Sequence, residues 1–197
     1  FLFNCLNSIK LFTIENDTEK ASRFLTKFSR LIRLILQNSK SARVRLADEL
    51  EALRLYIEME SMRFENKFSF TIETNGVDAE GLEVPPLILQ PYVENAIWHG
   101  LMHKDGPGHL MIAIHLEDDQ LVCTIEDDGV GIDVSQAIQA GQPQRKKSYG
   151  MAITGDRLSL IRKLYDVNAR VRVEKLEQNG SASGTRVTIH VPAMYIP

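Results

Sequence analysis

The chain has 197 residues, of which 44% are hydrophobic and 25% are charged, the balance of a soluble globular protein with one or two small domains. Its formal net charge of −3 argues against nucleic acid as a partner, and its apolar runs are too short to span a membrane. The two cysteines, Cys5 and Cys123, lie far apart and argue against a disulfide framework or a cysteine-based metal centre.

The first 66 residues have the apolar periodicity of helices, and the first glycine or proline is Gly76. Polar residues at 15–18 interrupt the pattern, and Asp17 or Thr18 is suited to cap a new helix there. A second break falls at residues 38–41, after which the apolar pattern resumes at Leu46. These features predict a helical hairpin of two long amphipathic helices joined by a short turn.

A hairpin of two helices buries little apolar surface by itself. Such hairpins usually pair with a second copy to form a four-helix bundle, so we predict a homodimer through residues 1–66. The alternative is that the hairpin packs on the second domain of its own chain.

After Asn66 the pattern changes to that of strands separated by turns. Residues 68–73 alternate as a half-buried strand does, and Pro85-Pro86 starts an apolar helical run to about Met102. Within this run Pro91 lies near a later helix start or kinks the helix. The remaining segments are predicted as strands at 110–116, 121–125, 169–176 and 185–191, a loop at 133–149 and a helix at about 152–165. This order predicts one sheet with helices on one face.

Two polar motifs lie in apolar surroundings. Asn95 and His99 share a helix face, and the amide oxygen of Asn95 is a hard ligand suited to Mg²⁺, while Glu94 is placed to orient or deprotonate a nucleophile. Asp128 comes where a strand ends in Gly129-Val130-Gly131, and its carboxylate is suited to accept a hydrogen bond from an exocyclic amine. The alternative for the first motif is that these residues are the solvent-exposed face of an amphipathic helix. The alternative for the second is a solvated turn after a strand.

Two further motifs follow these. Ser148-Tyr149-Gly150 opens a helix, where backbone amides favour phosphate, and Ser183-Gly184-Thr185 enters the last strand. The four motifs, in this order, resemble the four boxes of the ATPase superfamily that joins gyrase, a heat-shock chaperone, mismatch-repair proteins and histidine kinases. The resemblance covers about residues 68–191.

The N-terminal part narrows the resemblance. Phe1-Leu2-Phe3-Asn4 looks like the start of the dimerisation helix in bacterial sensor histidine kinases of the autolysin-regulator type, and residues 46–50 and 56–60 match the second helix of that family. Residues 89–100 are close to its asparagine box. The resemblance implies an α+β protein, with a helical dimerisation domain at 1–66 followed by an α/β sandwich that binds ATP at 67–197.

The resemblance also implies roles for individual residues. Asp128 would bind the adenine amino group, Asn95 would bind the Mg²⁺ that bridges the phosphates, and Glu94 would lie near the reacting phosphoryl group. The other binding positions implied are His99 near the phosphates, Gly129 and Gly131 on the adenine wall, Gly150 behind a lid of residues 133–149, and Gly184 and Thr185 at the adenine end.

The function implied is that of the cytoplasmic catalytic core of a membrane-bound two-component sensor. The γ-phosphoryl group of ATP would pass to a histidine on the first helix and then to an aspartate of a response regulator. In that family the acceptor histidine directly precedes the Phe-Leu-Phe-Asn segment. We therefore expect this fragment, which begins at Phe1 and has no membrane contact, to lack the residue that it would phosphorylate.

Two departures from the family pattern leave alternatives open. The second glycine box is Gly150-Met151-Ala152 here. Trp98 takes a position where related kinases often have lysine. Arg145, Lys146 and Lys147 are possible substitutes for the phosphate contacts that these two changes weaken. The altered box favours a second hypothesis, a non-catalytic dimeric scaffold that binds nucleotide or nothing. A third, an ATPase that drives conformational change, is disfavoured because the chain has no transducer-like domain.

Overall fold

The computed structural model describes residues 2–39, 41–131, 169–178 and 181–196. Its first third forms helices α1 (Leu2–Ile14), α2 (Thr18–Asn38) and α3 (Leu46–Arg63). Helix α1 is followed by Asn16 in a left-handed conformation (φ 59°), and the amide of Asp17 donates to the carbonyl of Phe12 over 3.0 Å. The Asp17 carboxylate then accepts from the Lys20 amide at 2.9 Å, which confirms the predicted cap of α2.

This turn separates α1 from α2 at the break that the sequence predicted. Phe12 of α1 packs edge-to-face on Phe24 of α2, with ring centroids 5.6 Å apart, so α1 lies against α2 rather than continuing its axis. Helices α2 and α3 run antiparallel and are joined by ion pairs of Lys27 with Glu58 and of Arg30 with Glu51. The predicted break at residues 15–18 is therefore confirmed, because Asn16 adopts the left-handed conformation that ends a helix.

The strands form two sheets. Their bounds are β1 (Val44–Arg45), β2 (Phe68–Glu73), β3 (Leu82–Val84), β4 (Gly108–Glu117), β5 (Gln120–Asp127), β6 (Arg170–Gln178), β7 (Ser181–Pro192) and β8 (Met194–Tyr195). The larger sheet has the order β2-β4-β5-β7-β6, with β2 and β4 parallel and the other neighbours antiparallel. All five predicted strands are confirmed, and the small sheet β1-β3-β8 was not predicted.

The helix that carries Glu94 and Asn95 starts later than predicted. Helix α4 (Gln90–Asn95) continues as a π-helical turn (Ala96–Gly100) and a 3₁₀ turn (Leu101–His103), and we name residues 90–103 the asparagine helix. Pro91 lies in its first turn, where its missing N–H costs nothing, so the later start is the correct one of the two options for Pro91. A start at Pro85-Pro86 is wrong, because Leu87 has a left-handed conformation (φ 58°).

Helix α3 packs in one continuous core with the sheet. Leu46, Tyr56 and Ile57 of α3 lie in the same buried cluster as Leu110 and Ile112 of β4. The small sheet adds to this contact, since Val44 pairs with Val84 and Leu82 pairs with Tyr195. Helix α3 thus packs on the second part of its own chain, as the alternative arrangement of the hairpin requires.

The described ranges omit several predicted features. The loop of residues 133–149, Gly150 and the helix at about 152–165 lie outside them. Among the helices within these ranges, none is both long enough and apolar enough to cross a membrane.

Candidate functional site

A buried carboxylate lies at the end of β5. Asp127 is only 3% exposed, and its Oδ1 accepts from the amide of Gly129 at 3.0 Å. A Cβ added to Gly100 would come within 2.4 Å of this oxygen, one added to Gly129 within 2.7 Å of it, and one added to Gly184 within 1.9 Å of the Asp127 carbonyl. Three chain segments thus approach Asp127 at glycines, and any side chain there would displace the carboxylate or the backbone.

The surroundings of Asp127 disfavour its charged form. Burial raises its pKa to about 7, and the nearby carboxylates of Asp128 and Glu126 act in the same direction. The hydrogen bond from Gly129 and the charge of Lys104 oppose this effect. Asp127 is therefore a carboxyl group that changes its protonation near neutral pH.

Asp128, the aspartate predicted to bind adenine, lies in a different environment. Its side chain is 46% exposed, and its Oδ2 forms an ion pair with Lys104 Nζ at 2.8 Å. Its Oδ1 accepts from the His109 amide at 2.7 Å. Both oxygens of Asp128 therefore have partners within the protein.

The asparagine helix meets the turn of residues 127–131, which we name the glycine turn, at Gly100. The carbonyl of Gly100 accepts from the Val130 amide at 3.3 Å. Directly before Gly100, the half-buried His99 has a pKa lowered by burial and, to a smaller extent, by His103. Glu94 and Asn95 are half-buried near the other end of this helix, where Glu94 accepts from Gln90 Nε2 at 2.8 Å.

The other predicted residues complete the arrangement. Gly131 has a positive φ of 74°, and Gly184 has one of 139° where β7 passes the carbonyl of Asp127. Thr185 is the pairing partner of Asp127 between β5 and β7. The fold thus brings the asparagine helix, the glycine turn and the start of β7 together, while Gly150 lies outside the described residues.

Asp127 itself was not among the predicted site residues. The signal for it was the alternation of β5, in which Leu121, Cys123 and Ile125 face the core. Two residues further on, the same alternation points Asp127 inward.

Mg²⁺ is the metal that the predicted chemistry requires. The amide of Asn95 is a hard oxygen donor on a half-buried side chain in the same helix as Gly100. Mg²⁺ is usually bound by one or two protein oxygens together with substrate phosphates and waters, so a single amide donor such as Asn95 fits it.

Comparisons with known proteins agree with this geometry. The model of the family described as "Histidine kinase-, DNA gyrase B-, and HSP90-like ATPase" matches residues 85–194, and that described as "Histidine kinase" matches residues 1–68. The chain belongs to this ATPase family and, within it, to the histidine kinases.

The relatives among known proteins are sensor proteins. LytS of Staphylococcus haemolyticus is 28% identical over 197 residues, which cover 98% of this chain and 32% of that protein. LytS of Oceanobacillus iheyensis is 35% identical over 133 residues, or 68% of this chain and 22% of that protein. The chain thus spans about a third or less of the length of these relatives.

Solved structures show the same fold. The mycobacterial sensor histidine kinase MprB superposes with a TM-score of 0.52 at 15% identity, covering 78% of this chain and 98% of that one. A structure described as a bacterial phosphotransferase gives 0.52 at 12% identity, covering 95% of this chain and 87% of that one. At these identities the likeness concerns the fold alone.

Proposed function

We propose that the chain is the catalytic core of a two-component sensor histidine kinase, which binds ATP with Mg²⁺ and transfers the γ-phosphoryl group to a histidine of its parent protein. The observation that carries this proposal is the buried carboxylate of Asp127, which three glycines surround beside the helix that bears Asn95. Membership of the histidine kinase family and the similarity to LytS sensor proteins support it.

The adenine end has two candidate carboxylates, and we favour Asp127 over Asp128. The exocyclic amine of adenine donates a hydrogen bond. Such a bond distinguishes adenine from bases without this amine best where water is excluded, as it is around Asp127. Asp128 already pairs with Lys104 and the His109 amide. The absence of side chains at Gly129 and Gly184 lets the backbone approach a flat base, and Thr185 lies beside it.

Where the phosphates of ATP would lie, the amide oxygen of Asn95 would bind Mg²⁺. The metal would neutralise the negative charge of the phosphates. His99 is neutral at neutral pH because burial lowers its pKa, so it contributes hydrogen bonds to the phosphates rather than charge. Glu94, which Gln90 orients, accepts a hydrogen bond from the imidazole of the acceptor histidine.

In the transfer step, a nitrogen of the acceptor imidazole forms a bond to the γ-phosphorus. The bond from that phosphorus to the bridging oxygen breaks, and ADP leaves with the electron pair. An aspartate of a response regulator then receives the phosphoryl group. Since the curated relatives are sensor proteins about three times as long, we place this core on the cytoplasmic side of a membrane sensor.

The same proposal includes a homodimer through residues 1–66. The outer surfaces of α1 and α2 carry exposed apolar side chains, which favour burial against a second copy. They are Phe3, Leu6, Leu11, Ile14, Leu25 and Leu36.

Calorimetric titration with ATP tests the nucleotide site. We expect Mg²⁺-dependent binding by this chain, its loss in Asp127→Asn, and loss of the Mg²⁺ dependence in Asn95→Ala. Asp128→Asn is the matched control, one residue away with the same chemical change, and should bind ATP more tightly than Asp127→Asn does. If Asp128→Asn instead abolishes binding and Asp127→Asn does not, the original prediction of Asp128 is right. No binding by the unaltered chain would favour the non-catalytic scaffold.

A pH series sharpens this test. The adenine amine donates a stronger hydrogen bond to a carboxylate than to a protonated carboxyl group, and the pKa of Asp127 is raised to about 7, so ATP affinity should fall as the pH drops below about 7. In Asp127→Asn, ATP binding should stay weak at every pH of the series. An unchanged affinity of the unaltered chain across this range would contradict the role of Asp127.

Phosphoryl transfer itself needs the acceptor. A chain that carries a histidine directly before Phe1 should become labelled by γ-phosphate-labelled ATP when Mg²⁺ is present, and the Asn95→Ala form should not. Steady ATP hydrolysis without labelled protein would instead indicate an ATPase.

A further inference from the structure

A second buried carboxylate lies outside the nucleotide site, on the first turn of α3. Glu49 is 1% exposed, and its Oε2 accepts from the Leu87 amide at 2.8 Å while its Oε1 accepts from the Leu89 amide at 3.3 Å. The nearby amide of Ile88, between them, also acts to lower the pKa of this carboxyl group. Two backbone amides, 38 and 40 residues away in the chain, thus donate to one side chain.

The conformation of this segment explains why it needs an acceptor. Leu87 is left-handed (φ 58°) and Leu89 is right-handed (φ −88°), and successive amides in such a sequence form a concavity that binds anions. A left-handed leucine is unfavourable and persists only where its surroundings compensate. Glu49 fills this concavity, and the chain then passes directly into α4.

Helix α3 also contacts the asparagine helix further along. Tyr56 is hydrogen-bonded to Trp98, and the Arg63 guanidinium lies 4.7 Å from the centre of the indole ring. Phe64 meets the same ring edge-on, with centroids 5.1 Å apart. One helix therefore contacts the asparagine helix before its start, through Glu49, and near its end, through Trp98.

We propose that Glu49 is a positioning residue of the nucleotide site: by binding the amides of residues 87–89, it sets where α4 begins and so where Glu94 and Asn95 lie. This inference rests on the proposed function. Helix α4 has only six residues, too few to be stable alone, so its position depends on the contacts that surround it. Catalytic groups tolerate displacements of only about 1 Å, and Glu94 and Asn95 lie within the first six residues of this helix, so a shift of its start acts first on them.

Glu49→Gln tests the proposal with little change in volume. Its amide keeps one acceptor oxygen and turns an NH₂ group toward a backbone donor, so one of the hydrogen bonds from Leu87 and Leu89 is lost. The measured quantity is the Mg²⁺ effect, the ratio of the ATP Kd without Mg²⁺ to the Kd with it. Loss of one hydrogen bond to a carboxylate changes an equilibrium about tenfold, so this ratio should fall by about tenfold.

Leu53→Ala is the control, because it removes buried packing one helical turn further along α3 and leaves the carboxylate in place. It should lower the melting temperature and leave the Mg²⁺ effect unchanged. Trp98 is the only tryptophan, so its emission reports the position of the asparagine helix, and it should shift in Glu49→Gln but not in Leu53→Ala.

The outcomes separate the inference from the proposed function. If the unaltered chain shows no Mg²⁺ effect, the proposed function is refuted. In that case the role of Glu49 is decided by the emission of Trp98 in Glu49→Gln and by hydrogen exchange of the Leu87 and Leu89 amides. A wild-type Mg²⁺ effect in Glu49→Gln, or an equal loss in Leu53→Ala, overturns the inference. If Glu49→Gln does not fold, Glu49→Asp should show the same selective loss. Rapid exchange of the Leu87 and Leu89 amides in the unaltered chain would also overturn it.

Discussion

Helix α3 and the pair α1–α2 look alike in the sequence and differ in the structure. Each has apolar residues at helical spacing, yet nine residues of α3 are buried, whereas α1 and α2 keep six large apolar side chains exposed. Helix α3 also reaches the asparagine helix through Glu49 and Tyr56. The difference indicates that α3 belongs to the core of the larger sheet, while α1 and α2 keep apolar surface exposed.

The acidic residues show the same contrast. Glu49 and Glu60 of α3 are buried, and burial raises the pKa of each to about 7. Glu19 of α2, in contrast, lies on the surface and pairs with Arg23. Buried carboxyl groups cost stability when ionised, so their presence on α3 points to a specific structural role.

The largest expected effect comes from the same substitution made in the two regions. Ile57 of α3 is fully buried and Ile14 of α1 is 70% exposed. Ile57→Ala should lower the free energy of unfolding by about 2–5 kcal/mol, because it leaves a cavity in the shared core. Ile14→Ala should change it by less than about 0.5 kcal/mol. Urea denaturation at low protein concentration measures both, and equal effects would contradict the division between α3 and α1–α2.

Self-association should depend on α1 and not on α3. Replacing Phe3 and Ile14 together by glutamate places two charges on the exposed apolar surface, and should raise the dimer Kd by about a hundredfold, or roughly 2.7 kcal/mol. Sedimentation equilibrium measures this, and ATP affinity should be unchanged. A monomeric unaltered chain at high concentration would rule out the dimer.

The buried carboxyl groups of α3 predict a dependence of stability on pH. The pKa of Glu60 is raised mainly by burial, and Arg63 only partly opposes this. Because its folded-state pKa of about 7 exceeds the usual 4.5, its stabilising contribution is complete below pH 4.5 and is lost as the pH rises through 7. Glu49 and Asp127 act in the same direction.

Glu60→Gln should therefore reduce the loss of stability between about pH 5 and about pH 8 by on the order of 1–2 kcal/mol. Urea denaturation at the two pH values measures the loss in both forms. Glu19→Gln is the control, since Glu19 lies on the surface of α2. A pH dependence in Glu60→Gln equal to that of the unaltered chain would show that Glu60 does not titrate between these values.

The larger sheet was predictable because its strands alternate regularly and end at turn residues, as β2 does before Asn75 and Gly76. The start of α4 was not, because it depends on Glu49, a residue 38 positions away that binds the Leu87 amide. The motifs predicted which segments form the proposed site, and the alternation of β5 points Asp127 inward, but our preference for Asp127 over Asp128 rests on the burial and ion pairing that the structure shows. The small sheet was missed because strands of two or three residues have no measurable alternation.

The smallest expected effect concerns the junction between α1 and α2. Asp17 caps α2 through the Lys20 amide, and its Ala variant should lower the free energy of unfolding by about 1 kcal/mol, because that amide loses its acceptor. Asp17→Asn, which retains a capping oxygen, should recover most of this loss. ATP affinity should be the same in both variants if α1 and α2 serve association. A clear loss of ATP binding in Asp17→Ala would instead show that the orientation of α2 affects the nucleotide site, through the ion pairs that join α2 to α3.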